Sequence, residues 1–302
     1  MSVSMRGAAA VVGVAEMHYK RGESPYTEQQ MTIRAILDAC SDAGVSPREI
    51  DGFVSYAGGS NDGPILGAAL MIDELRWSNM MWGGGGGSVA AALINAVTAI
   101  ATGQAQCVVV YRAMSQADTG RLGYAKYHYG SHFLAHGVGS PAQICAMRTQ
   151  RMLEHDGVPR EAMRSLVLAA YQHAQQNPTA QGYGRPLDAD TYDGSRLIAE
   201  PFHLYDCSRE SDGAVALVLV ADERARELRS DPAYLLAGAQ GAPVDTASAS
   251  TTTPSTPPPG SVPPTTGNPV SPNACGPQLV SVPMTSTWCR CTRTSVVRPS
   301  PR

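Results

Sequence analysis

Five consecutive glycines, Gly83–Gly87, lead directly into Ser88 and an alanine-rich stretch with helical spacing. A helix that begins in this way presents free backbone N–H groups and the positive end of its dipole, and the glycines allow a ligand to approach closely. Phosphate binding is one use of such a turn. No Walker-type lysine follows, however, and the dinucleotide-binding spacing is matched only because every position is glycine. A tight turn against a packed helix explains the glycines equally well, so both interpretations stay open.

Three histidines at intervals of four, His128, His132 and His136, would share one helix face, as metal ligands often do. No acidic ligand lies near them, and Gly130 and Gly137 disfavour a continuous helix. We therefore predict no metal site, and we interpret these histidines as solvated or substrate-loop residues.

A second candidate arrangement, His203 with Asp206 and Cys207, combines a thiol with a possible base. Its neighbours are strand-like, which favours a buried and unreactive thiol at Cys207. Asp212 and Gly213 follow closely and are typical of a turn before a buried strand.

The elements that would position these residues alternate between strands and helices, which predicts a layered α/β fold. The strand segments are 7–16, 50–59, 78–82 and 106–115. The helical segments are 27–44, with Thr27 as N-cap and Gly44 as stop, 66–75 and 88–102. An apolar run at 213–222 returns to the sheet, and a helix at 223–229 and a strand at 233–241 follow.

Two stretches depart from this alternation. Residues 116–200 show helices and glycine- or tyrosine-rich loops without a strand pattern, so we interpret them as a helical loop domain inserted into an α/β unit of residues 1–240. Residues 241–302 contain most of the 22 prolines together with many serines and threonines. Such a tail cannot bury enough apolar surface to offset its ordering entropy, and we expect it to be disordered.

Composition excludes several classes of function. A formal charge of −3 offers neither a basic stripe for nucleic acid nor a polybasic membrane anchor. No apolar run approaches the roughly 18 residues that a membrane span needs. The 7 cysteines are scattered without paired metal spacing, which indicates a reduced, cytoplasmic protein.

Three segments, in order along residues 6–240, carry a resemblance to a known family. They are "SVAAALINAVTAIATGQAQCVVVYRAMS", "HGVGSPAQICAMRTQRMLEHDGVPREAM" and "SRLIAEPFHLYDCSRESDGAVALVLV". They resemble the helix and strand after the nucleophile, the loop-domain helix and the "D-C-S-x-x-S-D-G-A" return to the sheet in the thiolase superfamily. The similarity is greatest to its lipid-transfer, sterol-carrier branch. The resemblance implies a thiolase-like fold, here a βαβαβαββ half with an inserted helical loop domain.

The resemblance also implies where the chemistry would occur. Thiolases place an acyl-accepting cysteine at the start of this helix, and here Gly86 occupies that position. Members of the branch that lack the cysteine include lyases that cleave steroid side-chain acyl-CoA thioesters by a retro-aldol reaction. The glycine turn would then supply N–H donors to a thioester oxygen. The substrate-binding candidates are Gly85, Gly86, Gly87 and Ser88, with Tyr129 and Ser140 from the loop domain; Ser88 is expected to be the N-cap.

Further expectations follow from the family. The enzyme would make or break a carbon–carbon bond β to a thioester, by acyl transfer or retro-aldol cleavage, with acyl-CoA as substrate and no other cofactor. It would form a homodimer and associate with a small zinc-ribbon/OB-fold acyl-CoA-associated partner. The alternative is a non-catalytic thiolase-like subunit that binds acyl-CoA or acts as a scaffold.

Residues 241–302 show no pattern of the second thiolase half, which supplies the family's acid–base residues. When "PMTSTWCRCTRTS" is read from the third base of each codon, permitted codons give "D-D-V-D-V-V-Q-V-Y-E-N-F", which resembles that half. We therefore expect a frameshift near Gln240, which would leave this chain impaired; a natural disordered tail is the alternative.

Overall fold

The computed structural model describes residues 4–56, 61–81, 88–119, 131–229, 231–239 and 294–297. The first part of the chain alternates: β1 Ala9–Lys20, α1 Glu28–Ala43, β2 Gly52–Tyr56, α2 Gly63–Ala69, β3 Trp77–Met81, α3 Ser88–Ala101 and β4 Cys107–Met114. Helices then dominate: α4 Gln116–Thr119, α5 Ser131–Ala135, α6 Pro141–His155, α7 Glu161–Ala174 and α8 Ala189–Asp193. The remaining elements are β5 Leu197–Ala199, β6 Phe202–His203, β7 Ser211–Ala221, α9 Asp222–Leu228, β8 Ala233–Gly238 and β9 Thr294–Val297.

One mixed sheet has the strand order β3-β2-β4-β7-β1-β8-β9. Strands β2, β3 and β4 are parallel, and β7 runs antiparallel to both β4 and β1. The carboxyl ends of β1 to β4 therefore lie at one edge of the sheet, together with the amino end of β7. We call this edge the carboxyl edge. The order of elements confirms the predicted βαβαβαββ unit.

Helix α1 covers one face of the sheet. The Thr27 hydroxyl accepts a hydrogen bond from Gln30 N at 3.3 Å, and the Gln30 side chain accepts one from Thr27 N at 3.1 Å. Gly44 ends the helix in the left-handed region at φ 68°, as the sequence predicts. The buried side of α1, which includes Met31 and Ile36, packs against β1, β4 and β7.

Helix α3 covers the opposite face. Ala92, Ala96 and Val97 are fully buried against apolar residues of β2, β4 and β7. The helix carries no charged side chain, so it has no polar stripe of the kind that a fully solvated helix face shows. The sheet thus lies between two helical layers, with α1 and α3 both beginning at the carboxyl edge.

Four predictions of secondary structure are wrong. Strand β1 continues to Lys20 because Ala15, Met17 and Tyr19 alternate inward with exposed residues. The helix expected at 66–75 is Gly63–Ala69, because the Asp62 carboxylate caps Ile65 N at 2.9 Å and Met71 has a positive φ of 54°. Strand β5 lies within 116–200, where we expected none. Asp212 and Gly213 belong to strand β7 instead of a turn.

Of the tail 241–302, only Thr294–Val297 is described, as an edge strand paired with β8. The other residues of this tail, for which we expected disorder, lie outside the described residues. No helix among the described residues is both long enough and apolar enough to cross a membrane.

Candidate functional site

The candidate site lies at the carboxyl edge of the sheet. Strands β2, β3 and β4 end there at Tyr56, Met81 and Met114, and α3 starts there at Ser88. In sheets with parallel strands, ligands bind beyond the carboxyl ends of the strands, where loops and helix N-termini converge. In the sequence, the predicted glycine segment lies between β3 and α3.

The predicted substrate-binding residues are only partly visible. Gly85, Gly86 and Gly87 lie outside the described residues, as do Tyr129 and the neighbouring Tyr124 and Tyr127. Ser88 is 6% exposed and lies within α3, so it is a helical residue and not the preceding N-cap that we expected.

Ser140 has a structural role as the N-cap of α6. Its hydroxyl accepts a hydrogen bond from Gln143 N at 3.3 Å, while the Gln143 side chain accepts from Ser140 N at 3.0 Å. Because this capping box already engages the hydroxyl, the geometry gives Ser140 a local function in starting α6. Its contact with substrate stays a prediction.

Tyr56 and Arg112 form a pair at the carboxyl edge that the sequence analysis missed. They lie two residues beyond Val54 and Val110, which contact the α3 layer, so they belong to the same face of the sheet as α3. The Arg112 guanidinium carbon lies 5.5 Å from the centre of the Tyr56 ring, within cation–π range. Burial raises the pKa of the Tyr56 hydroxyl, and the Arg112 charge counteracts part of that rise.

A polar cluster on the α1 face of the sheet holds the residues that follow β2 and β4. The Glu28 carboxylate accepts from Asn61 Nδ2 at 3.3 Å and from Ser115 N at 3.2 Å. The Tyr111 hydroxyl donates to Asn61 O at 2.6 Å, and the Ser55 hydroxyl donates to Tyr111 O at 2.9 Å. Burial raises the pKa of Tyr111, so its hydroxyl stays neutral and donates. Glu28 therefore joins the first turn of α1 to the residues that follow two central strands.

Asp212, on strand β7 beside β4, also connects separate segments at the carboxyl edge. It is 1% exposed, and its carboxylate accepts from Gly22 N at 2.7 Å, Gln116 N at 2.8 Å and Ala117 N at 3.1 Å. It thereby joins the turn after β1 to the start of α4, which leads into the predicted substrate-loop segment. The signal in the sequence was the Asp-Gly pair, which we interpreted as a turn.

The remaining candidates do not assemble a reactive centre. His136 is exposed and follows the end of α5, while His128 lies outside the described residues. Within the described ranges, no group of three or more His, Cys, Asp or Glu side chains is placed to hold a metal ion.

The His203, Asp206 and Cys207 arrangement is structural. Asp206 accepts from the Tyr192 hydroxyl at 2.8 Å and from His203 N at 2.7 Å, and His203 Nδ1 lies 2.7 Å from Ser195 O. Cys207 is half-buried instead of fully buried, and burial raises the pKa of its thiol to about 11. The expected unreactive thiol is confirmed.

The other thiols in the core are equally unsuited to nucleophilic attack. Burial raises the pKa of Cys40 to about 11 and that of Cys107 to about 12. A nucleophilic cysteine requires a lowered pKa, typically at a helix N-terminus or beside a cation. These two cysteines therefore fill space in the core.

Comparison with solved structures identifies the class of fold. The structure described as "Ltp2-ChsH2(DUF35) aldolase" matches with a TM-score of 0.74 and 35% identity, over 81% of this chain and 63% of that chain. A monomeric SCP2-thiolase-like protein from Mycobacterium smegmatis matches with a TM-score of 0.59 and 19% identity, over 81% and 53% of the two chains. The fold is thiolase-like, as predicted.

Comparison with curated proteins identifies the family. A 17-hydroxy-3-oxo-4-pregnene-20-carboxyl-CoA lyase of Mycobacterium tuberculosis is 34% identical over 80% of this chain and 64% of its own length. A steroid side-chain-cleaving aldolase of Thermomonospora curvata is 34% identical over 81% and 64%. No protein-family profile matches the chain. The chain belongs to the thiolase superfamily, which fits the lipid-transfer branch that its motifs predict, and it spans less than two thirds, 63–64%, of the length of these relatives.

Proposed function

We propose that this chain belongs to an acyl-CoA-handling enzyme of steroid metabolism that breaks a carbon–carbon bond β to a thioester by retro-aldol cleavage. The observation that carries the proposal is the start of α3, where a thiolase has its nucleophilic cysteine and residues 81–88 contain none. The raised pKa values of Cys40, Cys107 and Cys207 leave none of these three thiols as a substitute. Two relatives that are 34% identical carry lyase and aldolase names, which supports the same reaction.

The carboxyl edge supplies the electrostatics that such a cleavage needs. Breaking the bond leaves negative charge on the thioester oxygen as an enolate forms. Backbone N–H groups at the start of α3 are suited to stabilise that charge, and the half-buried Arg112 adds a positive charge on the same face. We assign the substrate thioester to Gly85, Gly86, Gly87 and Ser88, and its coenzyme A portion to the segment with Tyr129 and Ser140. The proton-transfer residues would come from the second thiolase half.

An assay of two reactions tests this function. Purified 302-residue chain and a frame-restored chain are each incubated with a β-hydroxyacyl-CoA, and with a 3-ketoacyl-CoA plus coenzyme A. We expect the frame-restored chain to cleave the hydroxyacyl-CoA, to be inactive in thiolysis and to resist iodoacetamide. Thiolysis with a trapped acyl-enzyme would refute the retro-aldol proposal. Binding of acyl-CoA without either reaction would favour the non-catalytic acyl-CoA-binding subunit.

We also propose the two protein partners that the family implies. Strand β3 pairs only with β2 in the described part of the chain, so its outer edge is available for a second copy of the chain. The aldolase structure that matches at 35% identity is named as a complex with a DUF35 protein, which supports a small zinc-ribbon/OB-fold partner. Light scattering of the chain alone and with such a partner measures both associations; a monomer at all concentrations would contradict the dimer.

A further inference from the structure

A cavity lies in the helical segment between β4 and β7, beside the residues that lead into the amino end of β7. It has a volume of about 200 Å³ and is bounded by α7, the turn at Gly182 and the segment Tyr205–Arg209. For scale, an engineered apolar cavity of about 150 Å³ accommodates benzene. The cavity therefore has room for a body about the size of one aromatic ring.

The cavity is open to solvent, and the side formed by α7 is apolar. Val167, Ala170 and Ala174 line it from one side of α7, and the Tyr171 ring meets the Tyr205 ring edge-on at 5.7 Å. The Gln175 side chain donates to Gly182 O at 3.0 Å, as well as to its own helix, and so holds the turn against α7. At Gly182, a Cβ atom would lie only 3.1 Å from the Ala174 Cβ, so the glycine keeps the space open.

The polar end of the cavity presents hydrogen-bond donors. Arg209 Nε and Nη2 both donate to the Tyr171 hydroxyl, at 3.2 and 3.0 Å. Because that oxygen already accepts two hydrogens, its own proton is directed to an acceptor elsewhere. A guanidinium has five N–H donors, and within the described ranges the Tyr171 hydroxyl is the only hydrogen-bond partner of the Arg209 side chain.

The charge at this end is not compensated. In the described part of the chain, Arg209 forms no ion pair with a carboxylate, whereas the adjacent Glu210 pairs with Arg21 at 3.4 Å. An arginine with free donors beside an apolar cavity matches a ligand that has an oxyanion at one end and a compact apolar body at the other.

We propose that this cavity is a binding site for a small carboxylate with a single-ring apolar body, held by Arg209 and Tyr171 at its charged end. The ring would occupy the space between Ala170, Ala174 and Tyr205. The site is independent of the retro-aldol proposal, since it involves none of the residues that we assign to the thioester or to coenzyme A.

Titration of the intact 302-residue chain with benzoate, followed by ligand-observed NMR and calorimetry, tests the site. We expect saturable binding with a dissociation constant of about millimolar or tighter, which is typical for so small a ligand. Benzamide, which keeps the ring but lacks the charge, should bind at least tenfold more weakly. Arg209→Met keeps the aliphatic stem and should weaken benzoate binding at least tenfold.

Two tryptophan variants on α7 provide a matched pair. Ala170→Trp fills the cavity and should abolish binding, whereas Ala169→Trp, on the neighbouring exposed position outside the lining, should leave it within twofold. Arg209 is exposed, so Arg209→Met gives a readout even if Ala170→Trp fails to fold. Absence of saturable benzoate binding, or binding that Arg209→Met leaves unchanged, would overturn the proposal.

Discussion

Replacing Asp212 by asparagine is the sharpest test of how the carboxyl edge is held. The native carboxylate accepts three backbone N–H groups, two on Oδ1 and one on Oδ2, in a site that is 1% exposed. An asparagine can keep its oxygen toward Gln116 and Ala117, but its NH₂ group then opposes Gly22 N. One charge-assisted hydrogen bond is lost and two donors are brought together.

The magnitude follows from these contacts. Hydrogen bonds to charged groups contribute about 1.5–3 kcal/mol, so we expect Asp212→Asn to lower the free energy of unfolding by about that amount. Asp212→Ala removes all three contacts and leaves the buried Gln116 N–H unpaired, for which we expect a larger loss of about 3–5 kcal/mol. Asp73→Asn is the matched control on an exposed aspartate and should change stability by less than about 0.5 kcal/mol.

Urea unfolding followed by circular dichroism gives the free energies, and hydrogen exchange locates the effect. We expect faster exchange at Gly22 in Asp212→Asn, and at Gly22, Gln116 and Ala117 together in Asp212→Ala. If Asp212→Asn were no more destabilising than Asp73→Asn, the carboxylate would not hold these turns and its assignment as a positioning residue would be wrong.

Three further predictions concern the core and the gene. Gly13→Ala places a Cβ atom 2.1 Å from Ala39 O, so it should lower the unfolding free energy by about 1–3 kcal/mol in denaturant titrations; Gly139→Ala, where nothing lies within 4 Å, is the neutral control. Cys40 and Cys107 should resist iodoacetamide at pH 8 until the chain unfolds. Because burial raises the pKa of these thiols to about 11 and about 12, their contribution to stability should be constant below about pH 9 and lost as the pH rises toward those values; a flat profile up to pH 11 would contradict it. Resequencing from the codon for Tyr234 through the stop should reveal a frame that encodes "Y-E-N-F"; a single intact frame ending at Arg302 would favour the natural tail.

The features that sequence predicted well depend on neighbouring residues. Helix α1 begins and ends where expected because Thr27 and Gln30 form a capping box within four residues and Gly44 adopts the left-handed conformation locally. The alternation of apolar strands and helices likewise follows from short-range periodicity. Helix α2 was misplaced because its start depends on the Asp62 side chain, a cap that we did not consider.

The features that sequence missed depend on contacts between distant parts of the chain. Asp212 and Gly22 are 190 positions apart, and only the strand order, which places β7 beside β1, brings them together. Tyr56 and Arg112 became a pair because β2 and β4 are adjacent and parallel. A single sequence carries no local signal for either contact.

One buried carboxylate, Asp212, and one half-buried carboxylate, Glu28, hold the chain at the carboxyl edge in the same way. Glu28 holds Asn61 and Ser115, and Asp212 holds Gln116 and Ala117, so the chain is held immediately after residues 57–60 and shortly before residues 120–130. Both carboxylates accept backbone or amide hydrogens, and these contacts orient the chain. Helix α3, which begins at the same edge, packs against the opposite face of this sheet. We therefore expect a substitution at either carboxylate to displace the chain next to the candidate substrate-binding segments.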